Sequence, residues 1–134
     1  SNANFTHGRS SLVMDSDSLK LQWKEKAKVA KKKSKNGGIK FDDDKPDYSL
    51  IPPNALDDVA KVLTIGAKKY DRHNWKKLDN INNRYFAAAS RHMWAWLKGE
   101  TYDPETGLHH MAHALCCLFF ILEFYYLQKE KDSI

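Results

Sequence analysis

From Pro53 onward the apolar residues keep a helical beat. Leu56, Val59, Ala60, Leu63, Ala67 and Tyr70 return every three or four positions, which predicts a helix with one buried face. Pro52 and Pro53 disfavour helix before them and suit the first turn of one, so this helix opens at Pro53 or Asn54. Asp57 and Asp58 are expected in its first turn and Lys68 and Lys69 near its end, each complementing the helix dipole, while Gly66 weakens the middle. A polar loop from Asp71 to Asn80 carries Asn74-Trp75. A second helix is predicted from about Ile81 to Lys98, capped by one of Asn80, Asn82 or Asn83 and closed by Gly99. Its apolar side uses Tyr85, Ala88, Ala89 and Trp96, and the run Ala87-Ala88-Ala89 allows a neighbouring helix to approach closely. The third begins at Pro104 or Leu108 and runs to Gln128. Its second half is apolar almost all round, the pattern of a central or oligomer-buried helix. Three such helices without a strand pattern predict an all-α bundle.

The residues before this bundle read differently. Leu19, Trp23 and Ala27 form a narrow stripe on a Lys-rich helix predicted from about Ser18 to Lys33, with Ser16 or Ser18 as caps. Asn36-Gly37-Gly38 is a hinge, and Ile39 to Pro53 is an extended or looped lead-in. The expected organisation is an arm over residues 1–38, opening with the tag remnant Ser1-Asn2-Ala3, and a helical domain over 39–130.

Charge follows the same division. The 134-residue chain has a formal net charge of +5, but ten Lys or Arg against three acids put +7 on Ser1 to Lys40, leaving −2 for the rest. A basic nucleic-acid-binding domain is therefore not expected, and any contact with nucleic acid would run through the arm. The apolar stretch Ala114 to Leu127 falls short of the roughly 20 residues of a membrane span, and no hydrophobic signal core follows the N-terminus. The expectation is a cytoplasmic protein without membrane contact, in the host cytoplasm if phage-encoded. Adjacent Cys116 and Cys117 inside an apolar run read as small core residues. Phe119, Phe120, Phe124, Tyr125 and Tyr126 offer more apolar surface than one subunit can cover, so a homo-oligomer is expected.

Candidate chemistry gathers between His92 and His113, where four of the six histidines and three acids, Glu100, Asp103 and Glu105, fall within 22 residues. A lone helical histidine is more often a satisfied surface or core residue, but this density favours a functional cluster. On a helix, His110 with His113, or His109 with His113, can aim two imidazoles at one point. His92 reaches the same end from the preceding antiparallel helix. Carboxylates mixed with imidazoles suit manganese, iron, cobalt or zinc better than calcium. A loop tryptophan such as Trp75 can stack on a base, whereas Trp94 and Trp96 read as packing.

The ordered small motifs Leu50-Ile51-Pro52-Pro53-Asn54-Ala55-Leu56, Gly66-Ala67-Lys68-Lys69-Tyr70, Asn74-Trp75, Arg91-His92, Gly99-Glu100, Asp103-Pro104-Glu105-Thr106-Gly107 and His110-Met111-Ala112-His113 follow one pattern from about Ile39 to Leu127. The pattern resembles the phage-associated dATP/dGTP diphosphohydrolase N-terminal domain family. The resemblance implies hydrolysis of a purine deoxynucleoside triphosphate to monophosphate and pyrophosphate with a divalent metal, magnesium or manganese, iron, cobalt and zinc also being compatible. It is related by analogy to the all-α MazG-like pyrophosphohydrolases. Against their Glu-Glu-x-x-Glu motif Asp57-Asp58-Val59-Ala60-Lys61 is a degenerate version, and Glu100-Thr101-Tyr102-Asp103 keeps the spacing of the second motif in a loop.

For that chemistry Glu100, Asp103, His110 and His113 are assigned as metal ligands and His92 or Glu105 as the general base positioning water. Lys45 and Lys69 would meet phosphates, and Asn74 and Trp75 would read or stack the base. The alternative is a helical binding module whose His/acid cluster is structural and whose arm docks on nucleic acid or an acidic partner. An HD-type phosphohydrolase ranks lower, since no His-Asp dipeptide occurs.

Overall fold

The computed structural model describes residues 15–27, 36–40 and 45–133. The chain divides into two compact units, Ser1–Tyr48 and Ser49–Ile134. The first contains helix α1, Ser16–Ala27. The Asp15 carboxylate accepts from the Ser18 backbone N–H at 2.7 Å, so Asp15 takes the capping place expected for Ser16 or Ser18, its charge adding to the attraction for the helix N-terminus. The predicted continuation to Lys33 lies outside the described residues, as do Asp42 to Asp44.

The second unit holds α2 (Pro53–Tyr70), α3 (Ile81–Leu97) and α4 (His110–Asp132). No strand occurs among the described residues, and the unit is the expected all-α bundle. Helix α2 starts with Pro53 in its first turn and stops where Asp71 turns to φ 90° while its N–H still bonds the Ala67 carbonyl. Asp57 and Asp58 sit one turn further in than expected, because a helix opening at Pro53 completes its first turn before them; they pair with Lys61 at 3.5 and 3.8 Å instead of serving the helix end. Gly66 does not interrupt the helix.

Helix α3 opens at Asn80, which adopts the left-handed conformation (φ 51°) and makes no side-chain cap. The expected asparagine cap is therefore absent there. Its other end is fully specified. Gly99, at φ 102°, donates its N–H to the Trp96 carbonyl at 2.9 Å, and Glu100 donates to the Ala95 carbonyl at 3.0 Å, the paired bonds of a Schellman ending. A residue with a Cβ would be strained at that φ, so Gly99 both ends α3 and fixes where Glu100 leaves it.

Helix α4 is central. On one side Ala112 and Cys116 pack with Val59 and Val62 of α2, and on the other Ala114 and Cys117 pack with Ala89 of α3, which is 0% exposed. Small residues at these crossings let the helix axes come close, as the alanine run predicted. Burial pushes the Cys116 and Cys117 thiols up to about 12 and about 11, so both are inert core residues at neutral pH. The helix is 23 residues long, and by length and composition alone it would suffice to cross a membrane, which the shorter stretch considered in the sequence did not. Of the two tryptophans expected in packing, Trp94 is 61% exposed and Trp96, at 45%, is only partly covered.

Candidate functional site

The polar end of the bundle is built by the loop between α3 and α4. Asp103 starts a tight turn. Its Oδ1 accepts from the N–H groups of Glu105 (2.9 Å) and Thr106 (3.0 Å), and its carbonyl accepts from Gly107 (2.7 Å), which takes φ 71°. Asp103 N–H then bonds the Leu108 carbonyl and His110 N–H the Thr101 carbonyl, so the two arms of the loop run side by side. This turn is why α4 opens at His110 and not at Pro104 or Leu108. His109 is left as the N-cap, its Nδ1 accepting from Met111 N–H at 3.0 Å. The expected pairing of His109 with His113 on one helical face is thus excluded, while His110 and His113 share the first turn.

His110 is 4% exposed and bonded on both sides. Its Nε2 lies 2.7 Å from Glu100 Oε1 and its Nδ1 lies 2.9 Å from Nδ1 of His92 on α3. With Nε2–H donating to the carboxylate, Nδ1 presents its lone pair toward His92. The His92 ring also stacks on His113 with centroids 4.6 Å apart, and His113 Nε2 is hydrogen-bonded to Thr106 Oγ1 at 2.7 Å. Burial, then the neighbouring His113 and His110, hold His92 below the ordinary imidazole range against the opposing pull of Asp103. Burial likewise lowers His113, with Asp103 opposing. For Asp103, burial raises the pKa, but the Thr106 N–H, nearby His113 and the Glu105 N–H outweigh it and hold the carboxyl below its usual range. The His92 and His113 rings are therefore neutral beside the ionised Asp103 carboxylate at neutral pH.

His92, Asp103 and His110 place one donor atom each within 4.8 Å of one another. Two imidazole nitrogens and a carboxylate oxygen at this spacing can hold a metal ion, and Glu100, bonded to the far nitrogen of His110, fixes the orientation of that ring. This grouping differs from the sequence assignment. His92, expected as a base, stands in the donor group; His113 stands beside it, tied to Thr106; Glu100 backs His110.

Next to the group lies a cavity of about 720 Å³, a size suited to a nucleotide-sized ligand. Lys69, Arg72 and Arg91 give it positive charge, Asp71, Asp103 and Glu105 negative charge, and Trp75, Tyr85 and Phe120 an aromatic wall. Lys69 Nζ bonds Glu105 Oε1 at 2.9 Å, and this hydrogen bond raises the lysine pKa. Asn74 lines the cavity. Trp75 is not a free loop stack: it is half-buried on Phe120, with centroids 4.8 Å apart and planes within 20°. Lys45 belongs to the first unit and is exposed. The sequence reading missed Thr106, Arg72 and Arg91. Thr106 had a signal in Asp103-Pro104-Glu105-Thr106-Gly107, a turn sequence that brings a hydroxyl back over its aspartate; Arg91 stood beside His92 without any spacing to single it out.

Residues 35–134 match the model of a family described as dATP/dGTP diphosphohydrolase, N-terminal. A protein of Salmonella phage PMBT28 named dATP/dGTP diphosphohydrolase is 48% identical over 84 residues, which are 63% of this chain and 28% of that relative. The chain thus corresponds to less than a third of the relative's length. No solved structure matches.

Proposed function

The chain belongs to the dATP/dGTP diphosphohydrolase N-terminal family, and from that premise we propose that its cavity binds a purine deoxynucleoside triphosphate and hydrolyses it to the monophosphate and pyrophosphate. The observation that carries this reading is the meeting of a His92, Asp103, His110 donor group with a cavity that also holds cations for phosphate and an aromatic wall for a base.

His92, Asp103 and His110 would hold a divalent metal, which when bound neutralises phosphate charge and polarises the phosphoryl group. The nitrogen-rich donor set favours manganese, iron, cobalt or zinc over calcium. Glu100 keeps the proton on His110 Nε2, so that ring offers Nδ1 and no other face. Lys69 meets the phosphates. The base lies against the wall of Trp75, Tyr85 and Phe120, with the Asn74 amide supplying a donor and an acceptor to its edge. With His92 taken up in the donor group, the general base is Glu105. It takes a proton from the water that attacks the α-phosphorus; the bond from that phosphorus to the bridging oxygen breaks, and pyrophosphate leaves.

The test is pyrophosphate release by the full chain from each of the four deoxynucleoside triphosphates, with manganese or magnesium. Release from dATP and dGTP, lost in Asp103→Asn, is expected. Release from none of them with any divalent metal overturns the reading.

A further inference from the structure

The three cations of the cavity differ in what holds them. Lys69, in the last turn of α2, gives its ammonium to Glu105 in the loop between α3 and α4, so this one contact spans the cavity from one element to another. Arg72 and Arg91 make no ion pair among the described residues. An exposed arginine without a partner is unremarkable on a convex surface, where water solvates it. Arg91 is placed otherwise. It precedes His92 on α3, lines the same concavity, and lies near enough to His92 and Cys117 to act on the ionisation of both. The cavity lining thus holds an arginine and a lysine, and the lysine already binds a carboxylate, that of Glu105. The Glu105 carboxylate occupies the position that a phosphoryl oxygen would take on Lys69, with the same charge-assisted bond.

We propose that Lys69 and Arg91 are the two jaws of a polyphosphate subsite, and that Glu105 is an internal stand-in for phosphate which the incoming ligand displaces from Lys69. This rests on the nucleotide reading above and adds to it the displacement of Glu105 from Lys69 as the phosphates enter the cavity. Arg91 supplies the second cation, with a planar fork able to take two phosphate oxygens at once.

The test is calorimetric titration of the full chain with inorganic pyrophosphate in EDTA, where no metal can bridge, alongside turnover of dATP with manganese. Arg91→Ala is expected to weaken pyrophosphate binding about tenfold or more, and Arg91→Lys by less, since it keeps the charge and loses the fork. Glu105→Gln moves in the opposite direction: pyrophosphate binds several-fold more tightly because its competitor is gone, while turnover of dATP is lost. Circular dichroism of each variant establishes that the helices persist. Wild-type-like binding in Arg91→Ala, binding no tighter in Glu105→Gln, or no binding by the wild type overturns the subsite. The two readings fail separately. Binding in the expected order without hydrolysis of any deoxynucleotide overturns the hydrolase and upholds the subsite; hydrolysis with an unchanged KM in Arg91→Ala does the reverse.

Discussion

The first turn of α4 and the stretch from Leu115 to Tyr126 lie on one helix and carry opposite chemistry. In the first turn His110 is buried with both ring nitrogens bonded, His113 is held by Thr106, and no buried side-chain nitrogen or oxygen among the described residues lacks a partner. Along the later turns Leu115, Leu118, Phe119, Leu122, Tyr125 and Tyr126 stand between 40 and 59% exposed. Hydrogen bonds are directional and short, so a loop from Glu100 to His109 can satisfy the polar end from within the chain. Apolar area has no such economy: it needs another surface of similar size. The buried core is made of Val59, Val62, Ile81, Ala89, Ala112, Ala114, Cys116 and Cys117, without one large side chain fully enclosed. The unit completes its site before it completes its core.

The substitution that breaks this contrast most severely is His110→Ala. It removes the bonds to Glu100 and His92 together, leaving two polar groups to find water in a half-buried place. Pyrophosphate release should vanish, metal retained after gel filtration should fall in elemental analysis, and the urea midpoint should drop by an amount equal to about 2 kcal/mol. Unchanged metal content would mean that His110 is structural. The matching change at the apolar end is Leu122→Asp. Six side chains recurring at three- and four-residue steps make a continuous stripe, and partly exposed Leu, Phe and Tyr sum to roughly 500 Å² or more, approaching the share one partner contributes to a standard interface. A second copy presents the same stripe, so the full chain is expected to sediment above its 15.5 kDa monomer mass and Leu122→Asp to return it toward that mass without loss of helix. A monomeric wild type would overturn the self-association.

A smaller effect separates the two ends by pH. His92 and His113 have folded-state pKa values below the ordinary 6.5, so the unfolded chain binds more protons as pH falls past that value. Their contribution to stability is therefore full above about pH 6.5 and is lost as the pH drops through the depressed folded values. In EDTA the urea midpoint should fall between about pH 7.5 and about pH 5.5, and His113→Gln should flatten that dependence. A midpoint rising over the same range would contradict the burial of these rings. The stripe on α4 has no titrating group in that window, and Leu122→Asp should leave the slope as it was.

Much of this was written in the periodicity of the chain. The apolar beat of Leu56 to Tyr70 and the glycine at 99 mark elements that depend on local sequence, and they appear within a residue or two of where the pattern puts them. The cluster from His92 to His113 was also legible, because density of one residue type survives any error in helix boundaries. Roles inside it were not. Whether Leu108 or His110 begins α4 depends on the turn that Asp103 makes with Glu105 and Thr106, and each residue of shift there rotates every imidazole by about 100°. The stack beneath Trp75 was hidden for a related reason. Its partner Phe120 lies 45 positions away on another helix, and no local pattern announces such a stack.

The acids of α2 give the smallest effect and the cleanest control. Asp57 and Asp58 occupy the place where the MazG-like analogy looks for metal-binding glutamates, yet Asp57 is exposed, Asp58 is half-buried, and both pair with Lys61, one turn along the same helix. Neither lines the cavity or joins the His92, Asp103, His110 group. Solvent screens such pairs, and one pairing substitutes for the other, so Asp57→Ala or Asp58→Ala should change stability by less than about 0.5 kcal/mol. Neither change should alter metal content or turnover of dATP. The double variant Asp57→Ala with Asp58→Ala removes the compensation and should still leave turnover within about twofold, since a factor of two is under about 0.5 kcal/mol in the barrier. A collapse of activity in that variant would place the metal on α2 and would force the histidine cluster back to a structural role.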